Sequence, residues 1–486
     1  VSNEGFILII MKSNRSKIKR FLKKIIVKLP ISHHLYKLGK YGPSFFIYRF
    51  LCKRHEFLSS FEMERYQLRK MRALLKNASR QVPFYRDFFR ENHLSREDFK
   101  ALEDISKLPI IQKSFMRRKT EQFMADNREK FRPKVVTTSG STGMPFQFYI
   151  DSRLLSFYDV LFWRWHNWAG YNLNDRHALM CMPIGYRQGK INKEDRYFCD
   201  FINKMLELNT HFFEDEYLHE MVRLIKNYKV DVLLAYPSLL FQFAKFLDKE
   251  KINLPMRVLL TQAEMLYPAQ REKIESVFKR KISNSYGMEE RTIFANECSE
   301  GRMHVSFDSG LLEVIKNGKP CKPGEIGEFV VTGFHNRSMP FIRYATGDFG
   351  CYKEERCPCG SSFSVIEIYG GRGKSLFATS QGYLITSPDY VFFDKNLSRR
   401  IKQIQIFQDK INEISLKVVK ENSFSEEDTR SLLALYSRVL GGKVKVHVEF
   451  VDKIERLSSG KFNYVDSKIK PTGNNREEKY VLGRNI

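Results

Sequence analysis

No apolar run in this chain approaches the roughly 20 residues needed to cross a bilayer, and the longest near its start, Phe6 to Met11, is far too short. A membrane-spanning protein is therefore not expected. The same stretch has no small-residue cleavage pattern and leads into a basic segment, so a secretory signal is not expected either; Met11 stands as a candidate start residue. Cysteine is sparse, with eight in 486 residues at irregular spacings, which argues against a disulfide framework and for a reducing, cytoplasmic setting. Acidic residues are missing from Met11 to His55, where thirteen Lys or Arg occur, so half of the formal charge of +26 lies in under a tenth of the chain. That concentration, with no recognition module in sight, argues against a nucleic-acid binder.

What is present points to a folded, multi-domain protein. Hydrophobic residues make up 42% and aromatics 14%, including forty Phe and twenty-three Tyr, enough for packed cores rather than disorder. The length exceeds what one core usually organises, so two domains or more are expected. In the basic segment Ile18, Phe21, Leu22, Ile25, Ile26 and Leu29 recur at helical spacing, with Lys17, Lys19, Arg20, Lys23, Lys24 and Lys28 between them. Two readings of this basic amphipathic helix stay open: it lies on an anionic membrane, at the inner face, or it packs on the main domain with a solvated basic face.

From Glu56 to Asp104 the pattern is helical, broken by the proline of QVPFYRDFF (Gln81 to Phe89). Beyond Lys134, short β-branched runs such as VDVLLAYP (Val230 to Pro237) and MRVLLTQAE (Met256 to Glu264) alternate with helical stretches, which is α/β organisation. Leu311 to Gly333 reads as a β-rich portion. After Gly370 the order strand, strand, helix (Glu426 to Leu440), strand (Lys443 to Val451) predicts a small α+β domain. The expected division is a basic extension (1–55), a large α/β domain (56–372), a small mobile α+β domain (373–470) and a polar tail (471–486). No internal repeat is apparent.

One segment carries the first chemical signal. Val136 to Pro145 reads VTTSGSTGMP after a predicted strand. Its glycines let the backbone approach an anion closely, while hydroxyls and exposed N–H groups donate to phosphate oxygens. It lacks the Gly-Lys-Ser/Thr ending of a Walker A loop, and alone it reads equally as a polar surface turn.

Four further segments follow in order: SYGMEE (Ser285 to Glu290), MPFIRYATGD (Met339 to Asp348), YGGRGKS (Tyr369 to Ser375) and IERLSSGK (Ile454 to Lys461). With the loop they resemble the core motifs of adenylate-forming (AMP-binding) enzymes, specifically the phenylacetate–CoA ligase branch and its relatives in capsular polysaccharide biosynthesis, over roughly Gln81 to Lys470. The resemblance implies ATP- and Mg²⁺-dependent activation of a small carboxylic acid as acyl-AMP. Transfer would follow to the thiol of coenzyme A, an amine or a hydroxyl, with surface polysaccharide biosynthesis as one setting.

By the same resemblance, Thr137, Thr138, Ser139, Gly140, Ser141, Thr142 and Gly143 cradle phosphates, and Ala263, Glu264 and Gly287 join the nucleotide site. Tyr286 offers a flat face for adenine. Glu290 is the magnesium carboxylate and a catalytic candidate, Asp348 accepts from the ribose hydroxyls, and Arg372 reaches ribose or phosphate. Lys461 is the adenylation lysine, a point charge against the negative charge that builds as pyrophosphate leaves. The small domain would swing about a hinge near Lys374 and Ser375 between the two half-reactions. Taken singly, each residue has an ordinary reading as a core tyrosine, a turn-capping aspartate or a solvated base.

A second metal is also expected. Cys298 and His304 are spaced Cys-x5-His, and Cys357 and Cys359 form a Cys-x-Cys pair. Three thiolates and an imidazole suit a closed structural zinc site, an arrangement that some relatives in this branch share. Free buried cysteines beside an unrelated histidine are the alternative, with Cys351 as a substitute ligand. The acyl pocket is expected from FWRWHNWAG (Phe162 to Gly170) and LLAYPSLL (Leu233 to Leu240), with His166, Tyr236 and Ser238 as candidates, although helical spacing fits core residues equally.

The sequence departs from the family pattern at Glu289, usually Ser or Thr, at Ser375, often acidic, at Met144, often Lys, and at Glu455, often Pro. If the changes at Glu289 and Ser375 abolish turnover, a membrane-docked scaffold of a polysaccharide assembly is the competing reading.

Overall fold

The computed structural model describes residues 32–137, 146–184, 194–201, 203–371, 376–379, 382–385, 390–392, 394, 396–440, 444–457, 459–469 and 480–482, with side chains between Ser44 and Gly370 and between Val391 and Ile469. The expected basic helix, the loop from Thr138 to Pro145, Arg372, Lys374 and Ser375 lie outside the described residues.

Helix α1 (Ser32–His55) lays Phe45, Tyr48 and Cys52 onto the large body, and His55 Nδ1 meets Asp308 at 2.8 Å. Phe45 is fully buried, so packing of the large body begins within the stretch read as an extension. Helices α2 (Ser60–Gln81) and α3 (Pro83–Glu91) follow, with Pro83 at the first helical position, where its missing N–H costs nothing. The two-residue β1 (Ile111–Gln112) leads into α4 (Lys113–Arg118). Next, β2 (Lys134–Thr137) and β3 (Gln147–Ile150) pair antiparallel with Thr137 opposite Gln147.

The large sheet has a parallel half and an antiparallel half. Strands β4 (His177–Met180), β6 (Met205–Leu208), β7 (Val232–Ala235), β8 (Val258–Gln262) and β9 (Ile282–Gly287) run parallel in the order β6-β4-β7-β8-β9, with β5 (Tyr197–Asp200) antiparallel at the edge. Helices α5 (Ser152–Trp168), α6 (Asp215–Tyr228), α7 (Pro237–Lys249) and α8 (Pro268–Phe278) cover it. Burial on both faces explains why β7 and β8 read as unbroken apolar runs instead of alternating.

From β9 the sheet continues antiparallel through β10 (Phe294–Glu297), β11 (Met303–Val305), β12 (Gly310–Lys316), β13 (Lys319–Pro320), β14 (Gly327–Gly333), β15 (Tyr344–Lys353) and β16 (Val365–Gly371). The β-rich portion expected near Leu311 to Gly333 is thus a flank of the same fourteen-stranded sheet. β1 adds in parallel to β15, Ile111 opposite Tyr344.

The C-terminal part is α+β, as expected. Strands β17 (Leu376–Thr379) and β18 (Gly382–Ile385) precede α9 (Leu397–Arg400), and a four-stranded sheet is built from β19 (Ile401–Lys410), β20 (Glu413–Lys420), β21 (Lys445–Phe450) and β22 (Val465–Ser467). Helix α10 (Glu426–Val439) packs on it, started by a capping box between Ser425 and Asp428. Its core reaches across to the large body, because Tyr267 belongs to the same apolar cluster as Tyr464 and Phe462.

Candidate active site

In parallel sheets the carboxyl ends of the strands form the crevice where ligands bind. The motif residues converge there. Tyr286 and Gly287 close β9, Gln262 closes β8, and Tyr236 follows β7. Ala263 takes φ of +69°, a left-handed conformation that costs alanine about 1 kcal/mol, and the next side chain, Glu264, turns back over the start of α7.

Two side-chain bonds tie the SYGMEE and MPFIRYATGD motifs together. Tyr286 Oη donates to Asp348 Oδ2 at 2.8 Å, and Tyr344 Oη donates to Glu290 Oε1 at 2.9 Å. Asp348 is presented at an irregular stretch of β15: Gly347 has φ of +75°, which favours glycine, and Thr346 Oγ1 accepts the Asp348 N–H at 2.9 Å. Strand pairing sets Asp348 opposite Gly371, the residue before Arg372. Gly287 must lack a side chain, since a Cβ there would lie 2.5 Å from Tyr158 Oη. Arg343 of the same motif is structural, forking Glu313 through Nε and Nη2 at 3.1 and 2.9 Å.

Glu290 is buried, and Lys113 Nζ reaches its Oε1 at 3.2 Å. The ammonium also sits 5.6 Å from the ring centroid of Phe146, just before β3. Glu289 is exposed, and the two adjacent carboxylates do not share one environment.

The C-terminal part carries Lys461 onto the same edge. Its Nζ lies 6.0 Å from the ring centroid of Tyr236. Around it the contact is specific: Glu264 accepts from Ser238 N at 3.0 Å and from Phe462 N at 2.6 Å, joining both bodies through one carboxylate. Arg456 donates to Ser238 Oγ at 2.8 Å, Gln242 Oε1 at 3.2 Å and Gly460 O at 3.1 Å. Gly460, at φ of +79°, fits so closely that a Cβ would come within 3.1 Å of Pro183 and 3.3 Å of Thr210. Burial pushes the Arg456 guanidinium below its ordinary value, with the Glu264 charge opposing.

His166 is not brought to this edge. Helix α5 passes Gly287 with Tyr158, bonds Ser283 near the start of β9 through Trp165, and ends with His166 among Trp163, Trp165 and Tyr171 at centroid distances of 4.8–5.1 Å. Burial drives its imidazole down to about 3, and neither ring nitrogen finds a hydrogen-bond partner. It is a neutral core histidine, which corrects the expectation of a substrate contact.

Lys113, Tyr344 and Arg456 were not singled out from sequence. Tyr344 and Arg456 stand inside the quoted motifs and were legible there; Lys113, one of 82 basic residues, gives no local signal.

The Cys/His quartet comes together apart from this edge. Cys298, His304, Cys357 and Cys359 place their ligand atoms within 4.8 Å of one another, with Cys298 to Cys357 Sγ at 3.6 Å and Cys359 Sγ to His304 Nε2 at 3.4 Å. Tetrahedral zinc with 2.3 Å bonds to sulfur sets such edges at about 3.7 Å. His304 Nδ1 meets the Phe363 carbonyl at 2.9 Å, which leaves Nε2 directed at the thiols, and burial holds the imidazole below its ordinary value, in the neutral form a metal needs. The substitute Cys351 lies elsewhere, near Tyr369.

Known proteins share this architecture. Residues 377–468 match the family model described as the CapK C-terminal domain. Protein CapK of Staphylococcus aureus is 22% identical over 398 residues, covering 80% of this chain and 85% of that protein. A phenylacetate-coenzyme A ligase of Thermus thermophilus is 24% identical over 399 residues, covering 76% and 84%. The crystal structure of 2-hydroxyisobutyryl-CoA ligase in the postadenylation state matches with a TM-score of 0.66 at 18% identity, over 86% of this chain and 92% of that one, and speaks for the fold. Relatives, fold and C-terminal match all liken the chain to adenylate-forming enzymes, with Protein CapK and the phenylacetate-coenzyme A ligases among its relatives.

Proposed function

We propose that the protein uses ATP and magnesium to convert a carboxylic acid to its acyl-AMP and then passes the acyl group to the thiol of coenzyme A. The observation that carries this reading is the placement of Lys461, on the C-terminal part, against Tyr236 at the carboxyl end of β7. Tyr286, at the end of β9, stands two strands away, about 10 Å at the usual strand spacing, with Asp348 hydrogen-bonded to its hydroxyl; that span suits a nucleotide.

In the first half-reaction a carboxylate oxygen attacks the α-phosphorus, the bond to the bridging oxygen breaks, and pyrophosphate leaves. The Lys461 ammonium offsets the negative charge that grows on the phosphate oxygens. Asp348 is suited to accept from ribose hydroxyls and Tyr286 to lie against adenine. In the second half-reaction the thiol sulfur attacks the acyl carbon, AMP departs, and the thiol proton is lost to solvent or base. Magnesium, when bound, screens the triphosphate charge. Glu290 is the carboxylate that would hold it, with Lys113 competing for the same oxygen. Tyr236 and Ser238 are the residues we assign to the acid's side of the site.

Coenzyme A is favoured as acceptor by the phenylacetate-coenzyme A ligase relatives; the likeness to Protein CapK makes an amine or sugar hydroxyl the second class to test. An inactive scaffold loses support because the extra carboxylate, Glu289, is exposed while Glu290 is buried among its partners. We assign the Cys/His quartet to structural zinc, which would fasten the β10–β11 hairpin to the connection between β15 and β16.

The test is ATP–pyrophosphate exchange across aryl, amino and sugar acids, followed by addition of coenzyme A to the active acid. Exchange with one class and a thioester as product support the proposal. Absence of exchange with every class by protein that binds ATP contradicts it.

A further inference from the structure

We propose that the outward apolar face of α1, with the two phenylalanines that follow it, docks the protein on an anionic phospholipid bilayer. Helix α1 is apolar on two sides. Phe45, Tyr48 and Cys52 turn inward, whereas Phe46, Ile47, Phe50 and Leu51 turn out, with Ile47 60% and Phe50 64% exposed. The face continues past the helix end, where Phe57 and Phe61 are 80% and 67% exposed. Six large apolar side chains are exposed within sixteen residues of sequence, unlike the scattered single residues of an ordinary soluble surface.

The charge around this face is matched to lipid phosphate. Lys53, Arg54 and Arg65 are exposed beside it, with the Arg54 guanidinium 6.0 Å from the Phe50 ring and that of Arg65 5.7 Å from Phe61. At a bilayer interface the ring enters the acyl boundary while the cation stays at headgroup depth. Of the nearby acids, Glu56 is half-buried, Glu62 is occupied capping α2 through Ser59, and Glu64 is outnumbered by Arg65 and Arg69. Upstream, Met11 to His55 carries thirteen bases and no acid.

Other occupants fit less well. A second copy seated on this face by two-fold symmetry would set basic surface against basic surface, and a nucleic acid would use the charge while leaving six apolar side chains uncovered. None of the residues of this face is assigned to the candidate active site, so the inference does not depend on the adenylation reading.

The test is co-sedimentation of the full chain with vesicles of phosphatidylglycerol and phosphatidylcholine, against phosphatidylcholine alone. The triple variant Ile47→Ser, Phe50→Ser, Phe57→Ser serves as comparison, its folding checked by thermal midpoint. The expected result is at least tenfold stronger partitioning of the unaltered chain onto the anionic vesicles, and at least a tenfold loss in the variant. Equal binding by variant and unaltered chain, equal binding to both vesicle types, or no binding overturns the proposal. A dimer that the variant dissociates, without vesicle binding, assigns the face to a second copy instead. Loss of exchange activity in all forms would sink the ligase reading alone and leave the vesicle result standing.

Discussion

Tyr286 and Asp348, sixty-two residues apart in sequence, share a 2.8 Å hydrogen bond at the carboxyl edge of the large sheet. The bond joins the residue assigned to adenine with the residue assigned to ribose, so each holds the other in place. Tyr286→Phe keeps the ring and removes the hydrogen bond that positions the Asp348 carboxylate. The expected outcome is roughly tenfold or greater weakening of ATP binding, read as a rise in its KM with little change in thermal midpoint. Unchanged KM would detach this pair from the nucleotide.

The partly exposed Lys113 pairs with the buried Glu290 at the position assigned to magnesium. Removing the ammonium takes a cation from a buried carboxylate, which costs stability. Lys113→Met should therefore lower the thermal midpoint in chelator, with magnesium restoring it and the half-saturating magnesium concentration for exchange falling. If magnesium restores nothing, Glu290 is not its ligand.

The C-terminal part is held by Arg456 and Glu264 as well as by Lys461. Arg456→Ala removes the bonds to Ser238 and Gln242 while leaving Lys461 intact. Exchange should fall by about tenfold or more, while thioester formation from supplied acyl-AMP falls less. Equal loss in both half-reactions would mean that this contact does not belong to the adenylation arrangement.

The Cys/His quartet predicts one zinc per chain by elemental analysis. Cys357→Ser should lose the metal and lower the thermal midpoint by several degrees, while exchange persists below the new midpoint, since the quartet lies apart from the strand edge. Zinc-free protein of unchanged stability would rule out a structural metal.

Much of this architecture was legible in the residue pattern, for reasons visible in particular elements. VLLA in β7 and VLLTQ in β8 read as strands because both their faces are buried, and Ser425 with Asp428 marks the start of α10. The four zinc candidates could be grouped by spacing because β10, β11 and the loop before β16 are adjacent in the sheet. Other features depend on long-range packing. His166 looked available because FWRWHNWAG is aromatic on every side, and only the direction of α5 reveals that its end faces the wrong edge of the strands. Lys113 reaches Glu290 only because β1 joins β15, a pairing that brings together residues more than two hundred positions apart and leaves no trace in a two-residue strand. The continuity of β12 and β14 with the parallel half is likewise a fact of assembly: their local pattern is that of any hairpin.

Lys461 is the residue on which adenylation depends, and ATP–pyrophosphate exchange by Lys461→Ala with the preferred acid measures its role directly. The expected result is a loss of roughly a hundredfold or more, with normal folding and with supplied acyl-AMP still converted in the presence of the acceptor. Exchange at the rate of the unaltered protein would contradict it.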